Sequence, residues 1–255
     1  MIEVNYGFSK EIGQCIYCGS TEELTDEHII PFSLGGRFIL RNASCLTCNR
    51  ITNSFETKIL RDGGQFDLIR SVGKLPSREK ILRPKEHDFA IEGNKVKVPV
   101  EKCPGLFMMP IFRPPRYIVN YDSSVSCVLG ATLHISKGSE ELLAGLGNKV
   151  EGELKNVTRL FPRLLAKIAY GMVISERGLD ALETNFVLPC ILGKQDDARE
   201  WVGCERTSVL PKDSLFHNLA CYEKDGVIGV TIRLFANFQT PEYLVIVGKL
   251  KCTGS

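Results

Sequence analysis

Four cysteines near the N-terminus are the residues of this chain best suited to chemistry. They form two Cys-x-x-Cys pairs, Cys15/Cys18 and Cys45/Cys48. A Cys-x-x-Cys turn lets two thiolates reach one metal ion, and two such turns make a closed tetrahedral site of the structural zinc type. Two other interpretations stay open: unmetallated thiols packed in a core, and a zinc ribbon used only for binding.

The segment between the two pairs holds a second group of chemically capable residues. Its 26 residues are more than a plain zinc ribbon needs, and they include Glu27 followed directly by His28. A neutral imidazole can take a proton from water near pH 7, and a carboxylate oxygen suits Mg²⁺ or Mn²⁺. The spacing therefore predicts that something beyond a bare zinc ribbon is built here.

A short hairpin and a helix are predicted to position these residues. The pair Ile29 and Ile30 favours a strand, residues 35–36 (Gly-Gly) a tight turn, and residues 37–40 a second strand. Ser44 can cap a helix that starts near Cys45, and the glycines at 63–64 are typical of its end.

Three polar residues of that helix share one face. Asn49, Asn53 and Glu56 fall at i, i+4 and i+7. A separate, apolar face can pack on the hairpin; it consists of Ile51, Phe55 and Ile59. We therefore expect a cavity between hairpin and helix that contains an imidazole and several oxygen ligands.

Residues 15–56 resemble the HNH endonuclease family, the zinc-knuckle form of the ββα-metal nucleases. The resemblance rests on the two cysteine pairs and on a run of family positions between and after them: Glu27-His28-Ile29-Ile30-Pro31, Gly35-Gly36, Asn42 and Asn49 directly after Cys48. It covers only this part of the chain.

The resemblance implies metal-dependent hydrolysis of phosphodiester bonds, with DNA as the expected substrate and RNA left open. It implies that His28 is the general base and that Glu27 is a carboxylate ligand of Mg²⁺ or Mn²⁺. Asn49 or Asn53 would supply an amide-oxygen ligand from the helix. Asn42 would steady the hairpin and orient His28 through a backbone contact. The four cysteines would hold a structural Zn²⁺.

Composition bounds the remaining chain. With 255 residues, 44% hydrophobic and 24% charged, it is typical of a soluble globular protein. The sequence contains no run of 18 apolar residues, so we expect no membrane span. The first residues also lack the apolar core of a signal peptide. We expect a cytoplasmic protein with reduced thiols and no membrane partner.

The sequence predicts an α+β fold in three segments: an HNH module at residues 1–64, a proline-containing connector at 65–118 and a mixed α+β domain at 119–255. The connector has 11 Lys and Arg against 6 Asp and Glu. It contacts phosphates in one interpretation, for which Arg78, Lys80, Arg83 and Lys85 are the candidates, and is a solvated linker in the other.

The third segment is predicted to hold one long helix followed by an antiparallel meander. The helix covers residues 158–177, and the strands cover 217–222, 227–238 and 243–250. The basic residues of the predicted helix recur at every fourth position: Arg159, Arg163 and Lys167. A solvated helix face is favoured for them over a phosphate-binding track.

Two functional alternatives to a free-standing nuclease stay open. One is a zinc-dependent nucleic-acid-binding module without catalysis. The other is a nuclease effector of a bacterial antiviral defence or mobile-element system, gated by a partner protein or a small ligand. The oligomeric state cannot be read from the sequence, which is compatible with a homodimer.

Overall fold

The computed structural model describes residues 9–62, 66, 85–91, 94–103, 105–135, 139–145, 150–151, 158–196, 198–204 and 216–251. The strands are β1 Ser9–Glu11, β2 Leu24–His28, β3 Ile39–Cys45, β4 Glu86–Ile91, β5 Asn94–Pro99, β6 Leu106–Phe112, β7 Val128–Ile135, β8 Val150–Glu151, β9 Leu182–Asn185, β10 Val202–Cys204, β11 His217–Lys224, β12 Val227–Leu234 and β13 Tyr243–Leu250. The helices are α1 Leu46–Thr57, continued by a π-helical turn at Lys58–Asp62, α2 Glu140–Gly145, α3 Leu160–Arg177 and α4 Leu188–Ile191. The predicted α+β class is confirmed.

The N-terminal part is a three-stranded sheet with one helix against it. Its strand order is β1-β3-β2, with β1 parallel and β2 antiparallel to β3. The first strand of the predicted hairpin lies earlier than expected, because β2 ends at His28. Ile29 and Ile30 are buried just beyond it, and Pro31 then begins a 3-10 turn. The apolar character of these two residues therefore indicates that they are buried, and they do not belong to a strand.

Two glycines let the chain return from β2 to β3. Gly35 has φ of 88° and ends the 3-10 turn in the left-handed region. A Cβ on Gly36 would lie 2.0 Å from the carbonyl oxygen of Ile30, so no larger residue fits there. The turn predicted at residues 35–36 is therefore present, although it follows a 3-10 turn.

The start of α1 differs from the prediction. Ser44 is buried in β3, and Cys45 is the N-cap residue instead. The Sγ atom of Cys45 accepts the backbone N–H of Cys48 at 3.5 Å, as a capping side chain does. The predicted helix end at residues 63–64 lies outside the described residues.

Helix α3 runs through the middle of the protein. It ends at Arg177, as predicted, and Gly178 follows with φ of 87°. Between Leu160 and Ser175 every residue is buried except Arg163. A helix that is buried on nearly all sides has no solvated face. The predicted solvated face is therefore wrong at Lys167, which is only 1% exposed.

The C-terminal sheet has the order β10-β13-β12-β11, with β9 also paired to β13. The predicted meander is confirmed, and its first turn has Asp225 and Gly226 at φ of 52° and 73°. The middle strand is shorter than predicted, because Phe235 adopts φ of 56° and turns the chain.

Three further antiparallel pairs of described strands, β4–β5, β4–β8 and β6–β7, precede α3. Pro110 lies within β6, which pairs with β7 alone among the described strands. An edge position tolerates a proline because its missing N–H faces away from the partner.

One hydrophobic core joins the N-terminal sheet to the C-terminal sheet. Buried side chains from Cys15 to Val247 form a single cluster, with α3 between the two sheets. The division at residues 64 and 118 stays a prediction, and the basic residues 70–83 lie outside the described part. No described helix is long and apolar enough to cross a membrane.

His217 connects the C-terminal sheet to the loop after β2, and its burial leads us to expect that acid destabilises the fold. Its Nε2 donates to the Leu34 carbonyl at 2.8 Å, and its Nδ1 accepts the Phe235 N–H at 3.2 Å. Burial lowers the pKa of His217 from 6.5 to about 4. The imidazole is therefore neutral in the folded protein and is protonated more readily in the unfolded chain. The contribution of His217 to the free energy of unfolding is complete above pH 6.5 and declines as the pH falls toward 4.

We expect the stability advantage of the wild type over His217→Gln to shrink by about 2 kcal/mol between pH 7.5 and pH 5. Urea unfolding of both proteins at each pH measures this difference, and effects common to both, such as metal loss, cancel. An advantage that stays constant or grows on acidification would contradict this account of His217.

Candidate functional site

The two cysteine pairs meet at one point. The Sγ atoms of Cys15, Cys18, Cys45 and Cys48 all lie within 4.8 Å of one another. The Cys18 and Cys45 sulfurs are 3.7 Å apart, close to the ~3.8 Å that tetrahedral Zn–S bonds of about 2.3 Å require. The group can hold a metal ion, and it fits the zinc module predicted from the sequence.

Different local structures present the two pairs. In the first pair, Gly19 adopts φ of 77° and its N–H donates to the Cys15 carbonyl at 2.8 Å, which closes the knuckle turn. The Ile16 N–H donates to the Ala43 carbonyl at 2.8 Å and so attaches this turn to β3. The second pair lies at the N-terminus of α1. Closing the group therefore joins the first knuckle, β3 and α1.

His28 is the last residue of β2 and pairs with Ile39 of β3. It is partly exposed, and its ring packs edge-on against Phe32 with centroids 5.6 Å apart. A partly exposed position is compatible with a proton acceptor, and the strand and ring contacts limit the orientations of the imidazole.

Asn49 and Asn53 lie side by side on α1, as their spacing predicted. Asn53 Nδ2 donates to Asn49 Oδ1 at 2.5 Å, and Asn49 Nδ2 donates to Thr25 Oγ1 of β2 at 3.2 Å. The helix face that carries both amides therefore contacts the strand that ends in His28. Asn49 is partly buried and Asn53 is exposed.

Asn42 lies in a bulge of β3. Between the pairs Thr25–Ser44 and Glu27–Leu40, one residue of β2 lies opposite three of β3, and Asn42, the middle one of the three, adopts φ of 51°. Its N–H donates to Asp26 Oδ1 at 3.2 Å, and its Nδ2 donates to Glu11 Oε1 at 2.7 Å. These contacts support a role in shaping the hairpin. The orientation of His28 by Asn42 stays a prediction.

Glu27 faces the protein interior and is 5% exposed. Its Oε1 lies 2.5 Å from Nζ of Lys167, which is also 2.9 Å from Oε1 of Glu56. The same Nζ donates to the backbone carbonyl of His28. Glu27 is therefore brought together with Glu56 and a lysine of α3, while Asn49 and Asn53 contact Thr25.

The charges of this buried cluster depend on one another. Burial alone would lower the pKa of Lys167, but the negative charges of Glu27 and Glu56 raise it above its ordinary value. Burial, with a contribution from the nearby Glu56, raises the pKa of Glu27 although Lys167 opposes this. The Lys167 ammonium thus forms ion pairs with both carboxylates.

Lys167 is the residue of this site that the sequence interpretation missed. A usable signal was present: Lys167 lies in a helix that is apolar on almost every side, between Ala166 and Ile168. A buried lysine needs acidic partners. Local periodicity does not show where in the chain those partners lie.

Comparison with known proteins identifies the N-terminal module. Residues 15–62 match the family model described as HNH endonuclease. The matched stretch contains the four cysteines, His28 and the amide-bearing face of α1, so the suspected family is confirmed for this part of the chain. No curated protein and no solved structure matches the chain significantly.

Proposed function

We propose that this chain, whose residues 15–62 form an HNH endonuclease module, is a metal-dependent nuclease that hydrolyses phosphodiester bonds in DNA. The observation that carries the proposal is the frame of the family module: four cysteines close it, a partly exposed His28 ends β2, and the Asn49 amide of α1 contacts Thr25 of the same strand. Two elements in contact therefore carry a candidate proton acceptor and candidate oxygen ligands.

We assign a structural Zn²⁺ to the four cysteines. The sulfur separations fit tetrahedral zinc, and a site with four thiolates leaves no position for substrate. The zinc would therefore hold the first knuckle against α1 and take no part in hydrolysis.

In the proposed mechanism His28 accepts a proton from the water that attacks the scissile phosphorus. His28 is partly exposed, and its backbone is fixed by β3 and by Lys167. Mg²⁺ or Mn²⁺, when bound, would polarise the phosphate and stabilise the leaving oxygen. Asn49 and Asn53 are the proposed amide-oxygen ligands, and the donor set suits these hard cations.

Glu27 is the proposed carboxylate ligand, and its environment makes this the most testable assignment. One of its oxygens contacts Lys167. A carboxylate offers about four lone-pair positions, so a contact with Lys167 does not use all of them. Metal binding through Glu27 would nevertheless have to occur in a buried setting.

The ion pair of Glu27 with Lys167 favours a second candidate, a nucleic-acid-binding module without catalysis. In that case the ammonium takes the place of a cation at Glu27, and the zinc-held frame only presents a binding surface. Gating by a partner or small ligand in a defence or mobile-element system, a homodimer and a cytoplasmic location stay predictions.

A cleavage assay separates the two candidates. Purified protein is incubated with supercoiled plasmid DNA, linear DNA or single-stranded RNA in Mg²⁺, Mn²⁺ or EDTA. We expect nicked or linear plasmid with either divalent ion and none in EDTA. Protein that retards DNA in a gel and leaves it intact under all conditions would instead support the binding module.

A further inference from the structure

Lys167 has an unusually complete set of contacts for a buried lysine. Three oxygens lie nearest Nζ: Glu27 Oε1 at 2.5 Å, Glu56 Oε1 at 2.9 Å and the His28 carbonyl; the Ile29 carbonyl lies farther away, at 3.5 Å. The Lys167 side chain is 1% exposed. Two ion pairs and a backbone hydrogen bond therefore hold the ammonium in a buried position.

These three oxygens come from both halves of the HNH module. Glu27 and His28 belong to β2, and Glu56 belongs to α1. A single ammonium thus contacts the strand that carries the proposed base and the helix that carries the proposed amide ligands. Its position limits how far these two elements can separate.

The rest of α3 supports this point of contact along the module. The Arg163 guanidinium lies over the Phe55 ring at 4.4 Å. One turn after Lys167, the Tyr170 hydroxyl donates to the Ile16 carbonyl at 2.5 Å. Gly171 packs against Ile29, since a Cβ there would lie 3.4 Å from Ile29 Cγ1, an ordinary van der Waals distance. Helix α3 therefore docks over several turns and gives Lys167 a rigid base.

We propose that Lys167 is a positioning residue of the nuclease site, which sets the distance between β2 and α1 by holding Glu27, Glu56 and the His28 carbonyl together. This inference rests on the proposed function. It assigns a role in catalysis to a segment outside the family match: α3 completes the site, in addition to covering the core.

A purely structural role does not account for this choice of residue. Replacing a buried ion cluster by apolar side chains of similar volume is often neutral or stabilising, because charges lose their hydration on burial. Packing between α3 and the module would therefore be served as well if Lys167, Glu27 and Glu56 were all apolar. The ammonium adds a fixed geometry at the peptide that links His28 to Ile29.

The test compares Lys167→Met with Arg163→Met, a control on the same helix that also contacts the module but touches neither Glu27 nor His28. We expect Lys167→Met to lower kcat for plasmid cleavage about 10–100-fold, the effect of an ångström-scale misplacement, with KM within about twofold of wild type. Zinc content should stay at the wild-type level. Arg163→Met should keep kcat within about threefold of wild type, and Lys167→Arg should recover part of the lost kcat.

A double variant covers the case in which two uncompensated carboxylates prevent Lys167→Met from folding. Lys167→Met/Glu56→Gln restores the original net charge of the cluster, and we expect it to fold and to keep the low kcat. Wild-type kcat in this folded double variant would show that Lys167 only balances charge and would overturn the proposal.

Two further outcomes are distinct. Lys167→Met that retains kcat and needs less Mg²⁺ would make the ammonium a competitor of the metal, which also overturns the positioning role. Wild-type protein that cleaves neither DNA nor RNA removes this proposal together with the proposed function. Wild-type cleavage with full activity in Lys167→Met removes this proposal alone.

Discussion

His28→Ala should lower the rate of DNA cleavage by about 10²–10⁴-fold, because it removes the proposed proton acceptor. Its zinc content and Tm should stay near those of wild type. The substitution leaves the four thiolates unchanged and keeps the His28 backbone carbonyl that Lys167 contacts. The side chain is partly exposed, so little buried surface is lost.

Single-turnover cleavage in Mg²⁺, elemental analysis and a thermal melt test this on one preparation. Phe32→Leu is the matched control, since it removes the ring contact of His28 but keeps the imidazole. It should retain most of the activity if proton transfer, not local packing, explains the loss. A fully active His28→Ala protein would refute the nuclease assignment at this site, whatever the zinc content.

The second large effect concerns the cysteine group. Cys45→Ser should yield insoluble or molten protein without zinc, because the binding free energy of structural zinc, about 10–16 kcal/mol, contributes to folding. Cys45 also caps α1, but serine is itself a favoured N-cap residue, so the expected loss is that of the zinc ligand. Elemental analysis and near-ultraviolet circular dichroism measure the two consequences.

Cys221→Ser provides the control for this experiment. Cys221 lies on β11, outside the four-cysteine group, and is partly buried. The variant should keep one zinc per chain and a native spectrum. Well-folded wild-type protein that contains no zinc, or a Cys45→Ser variant that folds as the wild type does, is incompatible with the assignment.

The parts of the site that could be predicted from the sequence depend on short-range spacing. Two Cys-x-x-Cys turns favour a single metal site with four thiolates. Asn49 and Asn53 are one helical turn apart and must therefore share a helix face. The meander was predictable for the same reason, since Asp225-Gly226 between two β-branched runs strongly favours a hairpin turn.

The parts that could not be predicted depend on contacts between distant segments. Their apolar character predicts a strand for Ile29 and Ile30, but both are buried beyond β2, and Ile29 packs against Gly171 of α3, which lies far along the chain. The helical spacing of the basic residues predicts a solvated face for Lys167, because basic residues usually occupy solvated helix faces. Only the position of Glu27 and Glu56 against α3 shows why it is buried.

The long sequence separation between His28 and Lys167 has a consequence during synthesis. The two residues are 139 positions apart. At translation rates of about 5–20 residues per second, the strand with the base leaves the ribosome on the order of ten seconds before the helix that holds it. A nascent chain at that stage has its cysteines but lacks the ammonium that joins β2 to α1. If α3 completes the nuclease site as proposed, an unfinished or prematurely terminated copy would lack that site, and the nucleic acid of the cell that makes it would be protected.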